Sequence, residues 1–561
     1  MLVPFALHSH RAASAEKPTA SRLTNRQSPS ARRTITTRPL TQNRSVHQFL
    51  PVDFPLRRLS LRLSAISLLL ACPLLAQTQP ASASYWPDRH WRTATPESQG
   101  IDSQILAAAV DQVTDRHLGV HSLLVIRHGY AVMEAYFYPY NPGTPHDLAS
   151  VTKTITSTLT GIAIGHKLLQ MDQPVLDFFP QEQPANIDDR KRSMVVGNLL
   201  RMESGLDCGY APGEQELEQM KRSANWVRFA LSLPMKYDPG THSSYCSPGY
   251  HLLGSIIGAA AKQTELDFAR KNLFEPLGIH DVVWAADPQG RSHGWGDNHL
   301  YPEDVAKIGY LYLHGGQWKG KSIVSRDWVE VSSALPEGKR GDPGGLGIEW
   351  NASDGPNGRQ YGGTGRGGQS LIVWPSLDMI VVITAGGNAG QMAGSIRQAV
   401  KSDQPLPAQP DAVRQLQSKI SAAAKVPTAA QVVPLPEIAK SVSGKRYEFP
   451  LNPSRIDSLS LTFPGASEAR LDVKYLGDDL SMPLGLDGVY RFGPHGPLHL
   501  LAGATGKWTA DNEFLLDLNF IANINHYTLK IHFDGDKIDV TADEASGLIR
   551  NGHLVGQAKA R

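Results

Sequence analysis

Apolar and polar residues follow two rhythms along this chain. The stretch His121-Ser122-Leu123-Leu124-Val125-Ile126-Arg127-His128-Gly129, followed by Tyr130 to Phe137, predicts a hairpin turning at His128-Gly129. Ser370 to Pro375 and Met379 to Thr384 predict a second hairpin around Ser376-Leu377-Asp378. Between them the period lengthens: Ile155, Leu159, Ile162 and Ala163 fall at i, i+4, i+7 and i+8, so Ser150 to Gly165 predicts a helix, with Asp147 placed to cap its start. Tyr250 to Ala261 predicts another apolar helix. Early and late strands with helices between them predict an α+β domain over 84–404, its antiparallel sheet closed by both ends of the segment. From Pro405 to about Lys440 the composition shifts to Pro, Ala and Gln, which predicts a linker over 405–440 with one helix near Val413–Ala424. Beyond it, Arg446–Phe449, Leu459–Phe463, Ala469–Tyr475, Gly488–Phe492 and Tyr527–Phe533 alternate as short strands and predict a small all-β domain over 441–561.

Charge changes the picture at the N-terminus. The whole chain of 561 residues has 55 Lys+Arg and 53 Asp+Glu, a net charge of +2. Residues 1–83 hold eleven of the basic residues and two of the acids, so the remainder carries 44 basic against 51 acidic residues, or −7. That acidic balance argues against nucleic-acid binding. Within the leader, Arg57, Arg58 and Arg62 precede the apolar run Leu63 to Leu75, and Ala81-Ser82-Ala83 offers a cleavage site. Together these predict a secretory signal over about 57–83. The run falls short of the ~20 apolar residues that span a bilayer. Leu69-Leu70-Ala71-Cys72 also resembles a lipobox, so the one membrane attachment expected is a lipid at Cys72. The expected location is periplasmic or secreted. Export leaves Cys208 and Cys246, which are either a disulfide or two buried thiols.

Three motifs carry candidate chemistry. Ser150-Val151-Thr152-Lys153 is S-x-x-K at a helix start. The i, i+3 spacing puts both side chains on one face, so a lysine amine made less basic by burial can take the serine proton, and first-turn N–H groups can hold an oxyanion. Tyr245-Cys246-Ser247 lies on a loop before an apolar helix, where a tyrosine can relay a proton. Gly362-Gly363-Thr364-Gly365-Arg366-Gly367-Gly368-Gln369 opens the strand at Ser370, where glycines permit close approach of a substrate backbone.

In this order the three resemble the serine β-lactamase and penicillin-binding-protein superfamily, with its S-x-x-K, Ser/Tyr-loop and K-T-G set. The resemblance is closest to the class C β-lactamase-like group that includes esterases, D-aminopeptidases and 6-aminohexanoate-oligomer hydrolases. Leu273-Phe274-Glu275-Pro276-Leu277-Gly278 and Gly315-Gly316-Gln317-Trp318 support it. It implies a β-lactamase/transpeptidase-like fold with a helical subdomain, Ser150 as nucleophile, Lys153 as its base and Tyr245 as proton relay. The N–H groups of Ser150 and Arg366 form the implied oxyanion hole, and Ser247, Gly363, Thr364 and Gly365 contact substrate. Neither metal nor cofactor is implied. Two positions depart from the pattern: Ser247 replaces the common Asn, and Gly363 replaces the K-T-G lysine. Losing that lysine removes a charge-assisted contact to a substrate carboxylate, which disfavours β-lactams and favours small or peptide-like esters and amides. A true β-lactamase or D,D-peptidase, and a non-catalytic sensor on the same fold, are the rival expectations.

Gly290-Arg291-Ser292-His293-Gly294 matches G-x-S-x-G in letters, but Trp295-Gly296-Asp297-Asn298 cannot continue as the helix that such an elbow requires. There is no H-E-x-x-H and no C-x-x-C, and His251 on its apolar helix reads as a core or interface residue.

Overall fold

A computed structural model describes residues 85–559 apart from 210–213, 339–347, 349, 356–357, 388, 390–391, 453–455, 466, 476 and 494–495. The leader over 1–83, with the signal at 57–83 and Cys72, lies outside the described residues.

The first hairpin pairs β1 (Val120–Arg127) with β2 (Tyr130–Tyr136). Its two turn residues, His128 at φ 51° and Gly129 at φ 73°, supply the positive dihedrals that a two-residue hairpin needs. Later strands β3 (Ser353–Gly355), β4 (Gly358–Gly365), β5 (Gln369–Trp374) and β6 (Met379–Ala385) extend this to a six-stranded antiparallel sheet in the order β2-β1-β6-β5-β4-β3. Every residue of β1 is buried because both faces are covered. Leu124 and Ile126 enter the core under the helical subdomain, and Leu123 and Val125 enter the core on the opposite face.

That opposite face carries α1 (Ser103–Asp115), capped by the Asp102 carboxylate on the Gln104 and Ile105 N–H groups. The other face carries α2 (Thr152–Gly165) and α3 (Ser247–Ala261), whose buried residues join the larger core with Trp226, Trp318 and Trp350. The helix expected near Val413–Ala424 is present as α4 (Pro410–Ala423), and it packs: Leu416 is buried with Ile420 and Ala423 beside the residues of α1.

Ten strands between Arg446 and Ala558 form the C-terminal β domain. The strand at Arg446–Glu448 pairs with both Ile456–Thr462 and the last strand, Gly552–Ala558, while Gly485 bridges Thr505, which rolls the sheet into a barrel. Gly488 to Tyr490 stand outside any strand, and the local strand is Arg491–Gly493. Five strands were not expected: Asp478–Gly485, Ala502–Ala510, Glu513–Asn519, Lys537–Glu544 and Gly552–Ala558. Ala502–Ala510 turns small residues inward (Ala502, Ala504, Gly506), so its alternation is weak to the eye although it pairs with Glu513–Asn519 along most of its length, with an irregularity between Trp508 and Ala510.

Candidate active site

Ser150 sits in a 3₁₀ turn, Ala149–Val151, that leads into α2. Asp147 does not cap α2. It accepts the Ala149 N–H at 2.8 Å, one step earlier than expected, and so holds Ala149 at φ 45°. A non-glycine residue in this left-handed region costs about 1–3 kcal/mol and persists only where its surroundings enforce it.

Lys153 is fully buried one turn along, with Nζ donating to Ser150 Oγ at 3.0 Å and to the Trp295 carbonyl at 2.9 Å. Tyr245 comes from the loop before α3 and donates its hydroxyl to the same Ser150 Oγ at 2.6 Å. The Lys153 ammonium nitrogen also lies 4.7 Å from the centre of the Tyr245 ring. The serine hydroxyl is thus gripped from two sides. Its own proton can leave toward either neighbour when that neighbour is in its basic form.

Cys246, next to Tyr245, is bonded to Cys208 with a Cα–Cα distance of 5.4 Å, which decides between the two expectations for this pair. Its sulfur also accepts the Gly249 N–H and thereby caps α3. Closing a loop of 38 positions should contribute roughly 3–4 kcal/mol in the chain-entropy description. Cys208→Ser is therefore expected to lower the unfolding free energy by about that amount in urea titrations under non-reducing conditions, with the slope used to check for a changed denatured state.

The glycine run ends β4 and makes the 3₁₀ turn Arg366–Gly368, rather than simply opening the next strand. Gly365 lies against the nucleophile turn. A Cβ built there would meet the Leu148 oxygen at 2.7 Å and the Ser150 nitrogen at 3.1 Å. Thr364 points the other way and is exposed. Gly363 and Ser247, both expected to contact substrate, are buried. Gly363 is buried against α2, where a Cβ would stand 2.8 Å from Thr154 Cγ2, so this position packs a helix. Ser247 is fully buried at the start of α3, and its Oγ has no hydrogen-bond partner among the described residues.

Ser150 opens onto a cavity of about 270 Å³ lined by Asp147, Ala149, Glu214, Trp295, Asp297, Arg366 and Leu548. Burial would raise the Asp297 carboxyl, but its hydrogen bond to His293 at 2.8 Å and the charges around it hold it well below the usual carboxylate range. Burial pushes the Asp147 carboxyl up. The Arg366 guanidinium is tied to Ser546 Oγ at 2.9 Å and Asn525 Oδ1 at 3.4 Å, so it is engaged before any ligand arrives. Trp295, Glu214, Asp297 and Leu548 were not expected here. No short motif marks them, and they meet Ser150 only through the tertiary fold.

Ser292 is buried, lies on an isolated bridge and accepts the Leu266 N–H, far from an exposed elbow. His251 is buried in α3 beside Asp287, as a core residue.

Behind α2, Thr156 Oγ lies 2.8 Å from both Glu265 Oε1 and the Gly294 carbonyl oxygen. The Thr156 hydroxyl faces both acceptors as donor. Burial raises the Glu265 pKa from 4.5 to about 8, with the hydrogen bond from Thr156 opposing it. The folded state then holds a proton that the unfolded state releases, so stability is full below the unfolded value and declines as pH rises from about 4.5 to about 8. Glu265→Gln should flatten that decline in denaturant midpoints measured across this interval.

The model of the Beta-lactamase family matches residues 106–402. The 6-aminohexanoate-dimer hydrolase of Paenarthrobacter ureafaciens is 25% identical over 317 residues, which cover 52% of this chain and 79% of that protein. The D-aminopeptidase of Brucella anthropi is 24% identical over 206 residues, covering 33% of this chain and 37% of that one. Among solved structures, the octameric penicillin-binding protein homologue from Pyrococcus abyssi aligns with 16% identity and a TM-score of 0.39, covering 81% of this chain and 99% of that one.

Proposed function

The chain belongs to the Beta-lactamase family, and from that premise we propose that it is a serine hydrolase opening an ester or amide bond of a small or peptide-like substrate through an acyl-enzyme on Ser150. The observation that carries this reading is the convergence of Lys153 Nζ at 3.0 Å and Tyr245 OH at 2.6 Å on one serine oxygen that faces a cavity.

Ser150 Oγ attacks the carbonyl carbon and passes its proton to Lys153, the base of the pair. The negative charge that develops on the carbonyl oxygen is met by the N–H groups of Ser150 and Arg366. Tyr245 delivers a proton to the leaving alcohol or amine, and the carbon–heteroatom bond breaks to leave the acyl-enzyme. Water then repeats the sequence in reverse, giving up its proton to the same pair and releasing the acid from Ser150. Gly363, where Thr154 occupies the space a lysine Cβ would need, favours substrates without a carboxylate anchor at that position.

The same reading places the protein outside the cytoplasm. The Cys208–Cys246 bridge supports an oxidising compartment, as does the signal-like segment over 57–83.

A panel of p-nitrophenyl acetate, D-amino-acid amides, linear amide oligomers and nitrocefin tests it. The ester or one of the amides is expected to turn over with a kcat/KM well above that for nitrocefin. Nitrocefin turnover matching the best ester or amide would favour a true β-lactamase, and no turnover of any member would favour a sensor.

A further inference from the structure

The glycine turn beside the nucleophile is also the seat of the C-terminal β domain. The Asp147 N–H donates to the Ala522 carbonyl at 2.8 Å, and His299 meets Asn523 at 3.1 Å. Ile524 packs so closely over Gly367 that a Cβ there would lie 2.4 Å from its Cγ2, and one on Gly386 would lie 2.8 Å from its carbonyl oxygen. Part of the glycine run is therefore needed by the β domain and not by substrate.

One buried carboxylate organises the next turn of that domain. Glu544 Oε2 accepts from Ser546 Oγ at 2.6 Å and from the Leu548 N–H at 3.2 Å, and its Oε1 accepts from Asn525 at 3.3 Å. Its Oε1 also stands 3.8 Å from Arg366 Nη1, with the Glu544 side chain wholly shielded from solvent. Ser546 and Asn525 in turn hold Arg366 directly. This network fixes Leu548 at the wall of the cavity onto which Ser150 opens.

We propose that the turn 544–549 is a specificity wall of the active site, in which Leu548 sets the length of acyl group that Ser150 accepts and Glu544 positions Leu548 and Arg366. The proposal rests on the hydrolase reading above. Ser150 and Leu548 line the same cavity, so an acyl chain on Ser150 that extends across it meets Leu548. Trp295 on the same cavity supplies a second apolar surface for such a chain.

The experiment compares kcat/KM for p-nitrophenyl decanoate and p-nitrophenyl acetate in the full chain. Leu548→Ala should raise the decanoate-to-acetate ratio about tenfold or more, the scale on which pocket methylenes discriminate. Leu548→Phe should lower it, which keeps the test valid if the alanine variant folds poorly. Glu544→Gln, acting through position alone, should move the ratio in the same direction as Leu548→Ala while Ser150 remains reactive to a phosphonate. A ratio within twofold of wild type in both Leu548 variants, with acetate still hydrolysed, would overturn this proposal and leave the hydrolase reading standing. No turnover of either ester by wild type, with Ser150 unlabelled, would bring down both.

Discussion

Replacing Ser150 by alanine is expected to lower kcat/KM for p-nitrophenyl acetate by about 10⁴-fold or more, to within reach of the background rate. The size follows from what is lost: the atom that Lys153 and Tyr245 both hydrogen-bond is the one that would form the covalent intermediate. Folding should be little affected, because the side chain is half-buried at a cavity rim and its deletion leaves the backbone of the 3₁₀ turn intact. A matched thermal midpoint would separate lost chemistry from lost structure. Activity persisting in Ser150→Ala at a tenth of wild type would place the nucleophile elsewhere.

The second large effect belongs to Lys153. Lys153→Ala should lower kcat by about 10²–10⁴-fold, the usual range for a proton-transfer group, with a smaller change in KM. Lys153 Nζ reaches Ser150 Oγ and the Trp295 carbonyl, both on the reacting side, and the residue is fully buried, so it offers substrate little direct binding. Tyr245→Phe should fall in the same range and, with Tyr245 in the proposed relay role, should hurt substrates with poor leaving groups most. An activated ester such as p-nitrophenyl acetate, whose leaving group needs no proton, would be the least affected. Burst experiments in this variant would show whether acylation or deacylation has slowed. Equal losses for activated and unactivated substrates would argue that Tyr245 only positions Ser150.

The parts of the site that were legible in the sequence are those set by local spacing. Ser150 and Lys153 share a face because i and i+3 do so on any helical turn, and the apolar stripe of Ile155, Leu159 and Ile162 fixed which way that turn faces. Tyr245 was legible only through the order of motifs, since nothing local in a tyrosine before a helix names a partner 95 residues away. The burial of Gly363 and Ser247 was not legible, because a motif letter carries no information about burial, and Thr154 and the start of α3 enclose these two. The disulfide needed the fold to bring Cys208 to Cys246. Glu265 looks like an ordinary acid in sequence, and only its burial in the fold raises its pKa. Least visible of all was the β domain's part in the cavity, because Leu548 and Glu544 reach Arg366 by domain docking, for which no spacing rule exists.

A covalent bond to Ser150 Oγ is the step on which the proposed chemistry depends. The purified chain from residue 84 onward, treated with a fluorophosphonate and digested, should carry a single adduct mapped by mass spectrometry to Ser150, formed in step with loss of esterase activity and absent from Ser150→Ala. An unmodified Ser150 peptide in fully inactivated enzyme, or an adduct on another serine that tracks the loss of activity, would contradict it.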